Sequence, residues 1–227
     1  MRVLAIETSG KTASCAVLRD GVVLGQKTVF TKLTHSQVIL PYIKEILADT
    51  ETDLDDIDLI ALSAGPGSYT GLRIGISIAK GLAFGGKKCV GVSTLEALAQ
   101  SCVGAKGVIL PIMQARPGVV YFGGYHSDGE KLTQICEDKV AKTEELLEFA
   151  KSVSGEIILV GDGAFDAKNG ILAGLENARL CPEALRLQQA VSVGFAGLAN
   201  IDKATDADAL TARYLQITKA EKDLKGV

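Results

Sequence analysis

Residues 63–85 read SAGPGSYTGLRIGISIAKGLAFG, with glycines crowded at the front and small residues returning along the back. The front is a turn between a strand and a helix. The question is whether that turn grips a phosphate or the helix behind it admits a close neighbour. A Walker loop requires four residues between its glycine and a Gly-Lys-Ser/Thr, a spacing the segment lacks. A dinucleotide loop requires Gly-x-Gly-x-x-Gly, but counted from Gly65 the sixth position is Thr70. What remains is Gly65-Pro66-Gly67-Ser68, with Ser68 or Thr70 available to cap the helix. A helix N-terminus after a strand offers free N–H groups to any anion, so a phosphate is permitted there without being specified.

Behind the turn, Gly71, Gly75, Ala79 and Ala83 fall four apart on one side of the helix. That spacing lowers the helix surface and lets a neighbouring backbone approach. Glycine inside a helix costs about 1 kcal/mol relative to alanine, so two of them require a compensating contact. A partner helix and the chain's own sheet both satisfy the spacing.

Outward from this segment the chain alternates. Val3-Leu4-Ala5-Ile6 predicts a buried strand that ends at Glu7-Thr8-Ser9-Gly10. Cys15–Leu18, a turn at Arg19-Asp20-Gly21 and Val22–Leu24 predict a hairpin. His35–Ala48 has helical periodicity, with Ile39, Ile43, Ile46 and Leu47 on one side and Pro41 either starting or kinking the helix. An acidic connector over 49–56 leads to a strand over 58–63. The order then recurs: a strand over 108–112, a hairpin partner over 119–125, a helix capped by Thr143 with Glu144 and Glu145 in its first turn, and a strand with a glycine turn over 156–163. The two runs are shifted by about 100 residues, which predicts a duplicated α/β fold. The seam is expected at 103–106. The lobes are then 1–104 and 105–227, with the C-terminal segment able to pack back on the first.

Charge is balanced, with 24 Lys+Arg against 27 Asp+Glu and a net of -3. A single chain therefore has no long-range field to draw nucleic acid, and any RNA is expected to be met through a partner that supplies a basic surface. Aromatics are 5% with no Trp, which argues against stacking platforms for single strands. The 5 cysteines form no CxxC pair and read as reduced thiols. The opening MRVLAIETS carries no signal pattern, and no apolar stretch approaches the ~20 residues of a membrane span. The expectation is a cytoplasmic protein with no membrane contact.

Catalytic constellations are sparse. Only His35 and His126 are present, so a metal centre would need carboxylates to complete it. Asp49, Asp53, Asp55 and Asp56 lack the central glycine and terminal glutamate of a calcium loop. Glu7 and Asp162 end corresponding strands and form a candidate acid pair, but two-metal hydrolysis requires several converging carboxylates. Ser9 and Ser68 have no ordered His and acid partners for a serine triad. Cys15 reads as core, and Arg73 and Lys80 as solvated charges.

Four segments together carry a family likeness: LAIETS over 4–9, His35-Ser36 ahead of Leu40-Pro41, GPGSYTGLRIGISIAKGLA over 65–83, and GVSTLEALA over 91–99. They resemble the TsaB family, the partner subunit in bacterial synthesis of threonylcarbamoyladenosine on tRNA. The likeness is strongest over residues 3–100. It implies an ASKHA (actin-like, ribonuclease H-like) fold of two related lobes. It also implies a helical bundle formed with a second copy or with the catalytic subunit TsaD. His35, Ile39 and Ile43 on the first helix, and Gly71, Arg73, Gly75, Ala79 and Ala83 on the second, would build that interface. TsaE would join in the complex, and tRNA would be met only there. The chain alone is expected to bind no cofactor, with ATP or ADP held at a subunit boundary.

Two departures from the family pattern are visible. Gln114-Ala115-Arg116 stands where Asp-Ala-Arg is usual, and Tyr214-Leu215-Gln216 where Tyr-Leu-Arg is usual. The related TsaD carries His-x-x-x-His on the helix after Gly-Val-Asn, whereas Thr94 and Leu98 occupy those positions here. Leucine has no lone pair to donate, so that metal site cannot form. The resemblance thus favours the close-approach helix and a non-catalytic subunit. The rival is a small nucleotide-dependent phosphotransfer enzyme or ATPase of the same fold. It would hold a phosphate with Thr8, Ser9, Gly65, Gly67 and Ser68, beside Glu7. A homodimer with an unrelated scaffolding role is the third reading.

Overall fold

The structure, a computed structural model, describes residues 1–30 and 32–216; the expected end of the second lobe, 217–227, lies outside the described residues. Strands β1 (Arg2–Glu7), β2 (Thr12–Arg19), β3 (Val22–Phe30), β4 (Leu59–Gly65), β5 (Lys88–Ser93) and β11 (Thr205–Asp206) form one sheet in the order β11-β5-β4-β1-β2-β3. Strands β6 (Gly107–Arg116), β7 (Val119–Ser127), β8 (Leu132–Lys142), β9 (Ile157–Val160) and β10 (Ala178–Leu180) form a second, ordered β10-β9-β6-β7-β8. In each, a central strand pairs antiparallel with the next strand and parallel with a later one: β1 with β2 and β4, β6 with β7 and β9. This is the duplication expected from the sequence. The first hairpin turns at Asp20-Gly21, both with positive φ (52° and 78°), as a two-residue turn between right-twisted strands demands.

β1 and β4 are covered on both faces, which is why they read as near-continuous apolar runs. Leu4 and Ile6 point to a face covered by helices α1 (His35–Asp49) and α2 (Tyr69–Leu82). Val3 and Ala5 point to the other, covered by Ala190, Val193 and Ala196 of α6 (Ala190–Ala199). After Gln188, then, the chain lies on the first sheet, with β11 pairing on β5. Helix α3 (Thr94–Gln100) packs Leu95, Leu98 and Ala99 against Ile109, Ile158 and Val160 of the second sheet. Its Ser93 cap accepts from Leu95 N and Glu96 N. The second sheet's other face carries α4 (Thr143–Ser152) and α5 (Ala164–Asn169). Among the described residues no helix is long and apolar enough to cross a membrane.

Pro41 sits inside α1 without ending it. The cap of α4 differs from expectation. Thr143 is the first helical residue, and the cap position is Lys142, whose N–H donates to Glu145 Oε1 at 3.4 Å. A glutamate at the third helical position thus reaches back to the N–H of the cap residue itself, a different donor from the first-turn N–H that a threonine hydroxyl at the cap would satisfy.

Candidate functional site

β1 and β4 run parallel and side by side, so the turns that follow them meet. Glu7, 0% exposed, ends β1. Its Oε1 accepts from Ser9 N (2.5 Å) and Ser9 Oγ (2.6 Å), and its Oε2 accepts from Ser63 Oγ of β4. Thr8 Oγ1 donates to the Gly71 carbonyl at 2.8 Å, and Ser68 N donates to Ser9 O at 2.7 Å. Ser68 Oγ caps α2 by accepting from Gly71 N. A Cβ at Gly67 would stand 2.5 Å from Ser9 O, and one at Gly65 would overlap the Arg213 carbonyl.

The five residues expected to surround a phosphate are therefore parts of a packed joint. Thr8 and Ser9 are buried, and the hydroxyls of both, together with the Ser9 and Ser68 N–H groups, already donate within the chain. Burial pushes the Glu7 carboxyl above the usual glutamate value, against the hydrogen bonds from Ser63 and Ser9 that favour its charge.

The stripe of small residues needs the same correction. A Cβ on Gly71 would overlap the Thr8 carbonyl oxygen, and one on Gly75 the Thr8 hydroxyl. Ala79 and Ala83 are buried in the core beneath α2. The close approach is real, but the neighbour is the end of β1. On α1, Ile39 and Ile43 are buried against the sheet as well. Of the residues expected at an interface, His35 and Arg73 alone reach the surface. His35 is half-buried, its Nε2 3.0 Å from Thr12 O, and Arg73 is exposed.

The surface offered by these two helices is built from other residues. Ser36 and Leu40 of α1 face Tyr69, Thr70, Arg73, Ile74, Ser77 and Ile78 of α2 across a groove. Leu40 is 48% exposed and Tyr69 39%. The C-terminal segment braces the head of α2. Tyr214 stacks on Tyr69 with centroids 4.9 Å apart, Arg73 lies 4.0 Å over the Tyr69 ring, and Arg73 Nε donates to Tyr214 Oη at 3.2 Å. Gln216 accepts from Tyr121 Oη of β7 at 3.3 Å. The sequence signal for this groove was Leu40, Ile74 and Ile78, apolar residues set just off the core stripe of their helices.

In the second lobe, Asp162 Oδ1 accepts from Gln114 N at 3.2 Å, and Gln114 Nε2 donates to Asp166. Burial raises the Asp162 carboxyl despite that bond and the nearby Lys11 and Arg186 charges. Glu7 and Asp162 belong to no cluster: among the described residues no three His, Cys, Asp or Glu side chains are gathered as a metal would require. Thr94 and Leu98 are buried. Of the five cysteines only Cys136 is even half-buried, the others being buried; burial pushes Cys15 to about 12 and Cys89 to about 11, far from the range of reactive thiolates.

Residues 29–211 match the family model described as "TsaD: tRNA N6-adenosine threonylcarbamoyltransferase". The chain is 40% identical over 167 residues to the tRNA threonylcarbamoyladenosine biosynthesis protein TsaB of Escherichia coli K12, covering 72% of each chain. It is 32% identical to the protein of that name from Bacillus subtilis 168, over 97% of this chain and 96% of the relative. Among solved structures, YeaZ from Pseudomonas aeruginosa superposes with a TM-score of 0.77 at 26% identity, over 94% of this chain and 99% of that one. Component A of the (R)-2-hydroxyglutaryl-CoA dehydratase of Acidaminococcus fermentans superposes at 0.50 with 12% identity, over 88% of this chain and 99% of that one, and shares the fold alone. The two-lobed fold is that of the ASKHA proteins.

Proposed function

The chain belongs to the TsaB family of tRNA threonylcarbamoyladenosine biosynthesis proteins, and we propose that it is the non-catalytic partner of a TsaD-type transferase. The observation that carries this reading is the outer face of α1 and α2. Two adjacent helices leave Leu40, Tyr69, Ile74 and Ile78 partly open to solvent around one groove, with Arg73 at its edge. Core apolar clusters with a polar rim are what a stable subunit interface requires. At the strand-end turns, where a catalytic relative of this fold would hold a nucleotide, the Thr8 and Ser9 hydroxyls and the Ser9 and Ser68 N–H groups are taken up by the chain's own hydrogen bonds. Chemistry then falls to the partner, and this chain's part is to hold that partner in its working arrangement. In isolation the same face pairs two copies. TsaE, tRNA and ATP or ADP join only in the assembled complex, in the cytoplasm.

Leu40→Glu tests the reading without touching the core, because Leu40 is exposed and lines the groove. A charge there is solvated in the free subunit but desolvated against a partner. The expected result is an unchanged melting temperature, at least tenfold weaker binding to TsaD from the same source (about 1.4 kcal/mol), and a matching loss of threonylcarbamoyl transfer by the mixture. Co-purification at wild-type strength would remove the α1–α2 face from consideration.

A further inference from the structure

The seam between the two sheets holds a polar cavity of about 360 Å³, away from the α1–α2 groove. That volume lies at the small end of ligand pockets, which span roughly 300–1,000 Å³. One wall is anionic. Asp138 of β8, 5% exposed, accepts from Tyr125 Oη at 2.7 Å and Gln134 Nε2 at 3.3 Å on one oxygen and from Ser93 Oγ on the other. Glu96 of α3 stands near it. Burial raises the Glu96 carboxyl, hydrogen bonding to Asn200 and the Lys203 charge oppose the rise, and the Asp138 charge adds to it. Neighbouring acids withdrawn from water are under-compensated unless a cation joins them.

The cations present do not close that gap. Lys203 Nζ donates to Asn200 Oδ1 at 2.6 Å, and it is Asn200 Nδ2 that donates to Glu96, at 2.7 Å. The lysine is thus held one side chain away from the acid. Arg213 lines this cavity and the adjoining one beside Gly65 and Thr205. Its backbone N–H is used by Ala64 O at 2.7 Å, and among the described residues its guanidinium has no partner. One small cavity therefore presents two carboxylates and two cations from separate segments of the chain. A simple anion would meet Glu96 and Asp138, and a simple cation would meet Arg213 and Lys203.

We propose that this cavity binds a free α-amino acid, with the ammonium group against Glu96 and Asp138 and the carboxylate against Arg213 and Lys203. A guanidinium offers paired donors that suit a carboxylate, and the ammonium supplies the charge the acid wall lacks. The site needs neither the α1–α2 face nor a partner subunit, so it stands or falls separately from the interface.

Calorimetric titration of the full chain with the standard L-amino acids, at millimolar concentration, tests the proposal. Ethylamine and propionate serve as analogues of L-alanine that each lack one charge. At least one L-amino acid should bind saturably. Both single-charge analogues should bind at least tenfold more weakly than L-alanine or not at all. Glu96→Gln keeps the Asn200 bond and removes the charge, and Arg213→Gln alters an exposed side chain, so both should fold. Each should weaken the best amino acid at least tenfold with the melting temperature kept. Failure of every amino acid to bind, binding unchanged in either folded variant, or either single-charge analogue binding as tightly as the best amino acid would overturn it.

Discussion

Gly75→Leu is expected to lower the melting temperature of the isolated subunit by roughly 2–12 °C, at 2–4 °C per kcal/mol for a chain of this size. A Cβ at this position already overlaps the Thr8 hydroxyl, and that hydroxyl is committed to the Gly71 carbonyl. Leucine must push the end of β1 away from α2. Overpacking costs about 1–3 kcal/mol, and the lost buried hydrogen bond adds about 1 kcal/mol. The better helix propensity of leucine returns about 1 kcal/mol. Gly71→Ala sharpens the point. Alanine ordinarily stabilises a helix interior by about 1 kcal/mol, but here its methyl group overlaps backbone, the Thr8 carbonyl, which cannot rotate aside. Calorimetry on the dilute subunit decides. Intact melting with weakened association would return the small stripe to a partner interface.

That stripe shows what spacing can and cannot say. Glycines and alanines four apart record that something comes close, and the something is Thr8. Nothing in the local pattern distinguishes the end of the chain's own strand from a foreign helix. Ile39 and Ile43 make the same point from the other direction. Periodicity marks a buried stripe whether it is buried by a sheet or by a subunit, and here the sheet takes it. The groove residues Leu40, Ile74 and Ile78 sit beside those stripes and separate from them only once burial is known.

The paired-lobe order was readable because β1, β4, β6 and β9 are short apolar runs stopped by turn residues. β8 was not. Its sequence LTQICEDKVAK exposes Thr133, Gln134 and Glu137 and turns Asp138 inward, so no clean alternation survives. Helix α6, AVSVGFAGLA, is almost wholly apolar, with Gly194 and Gly197 lying close against the sheet, and it lacks an amphipathic period. The joint between the turns at 8–10 and 65–68 could not be foreseen without the β1–β4 register, which sets two phosphate-loop look-alikes against each other. Glu96 and Asp138 arrive at their cavity from α3 and β8, and Lys203 and Arg213 from the chain after α6, so no motif announces them.

Glu7→Ala should be among the most damaging single changes in the chain, at about 3 kcal/mol, since each orphaned buried donor costs about 1–3 kcal/mol. The hydroxyls of Ser9 and Ser63 can rotate toward other acceptors. The Ser9 N–H cannot, and it stays beside the cavity left by the side chain. The melting temperature should fall roughly 6–12 °C. Glu7→Gln should be far milder, because one amide oxygen still serves Ser9 and the Ser63 hydroxyl can turn to accept from the amide. The two variants also separate charge from shape. Glu7 is raised by burial, so the folded state binds its proton more tightly than the unfolded chain does. Its contribution is fully present below the unfolded value, near 4.5, and is lost as pH rises through the higher folded value. Glu96 and Asp162 are raised as well, so the whole-protein profile mixes several groups of the same sign. The difference between wild type and Glu7→Gln removes them. Urea unfolding from pH 4.5 upward should show that difference moving steadily toward the glutamine variant, until Glu7 is fully ionised in the folded state. Parallel profiles would mean that the three hydrogen bonds from Ser9 and Ser63 outweigh burial and keep Glu7 charged from the start. The joint would then be an anion clasp rather than a neutral one.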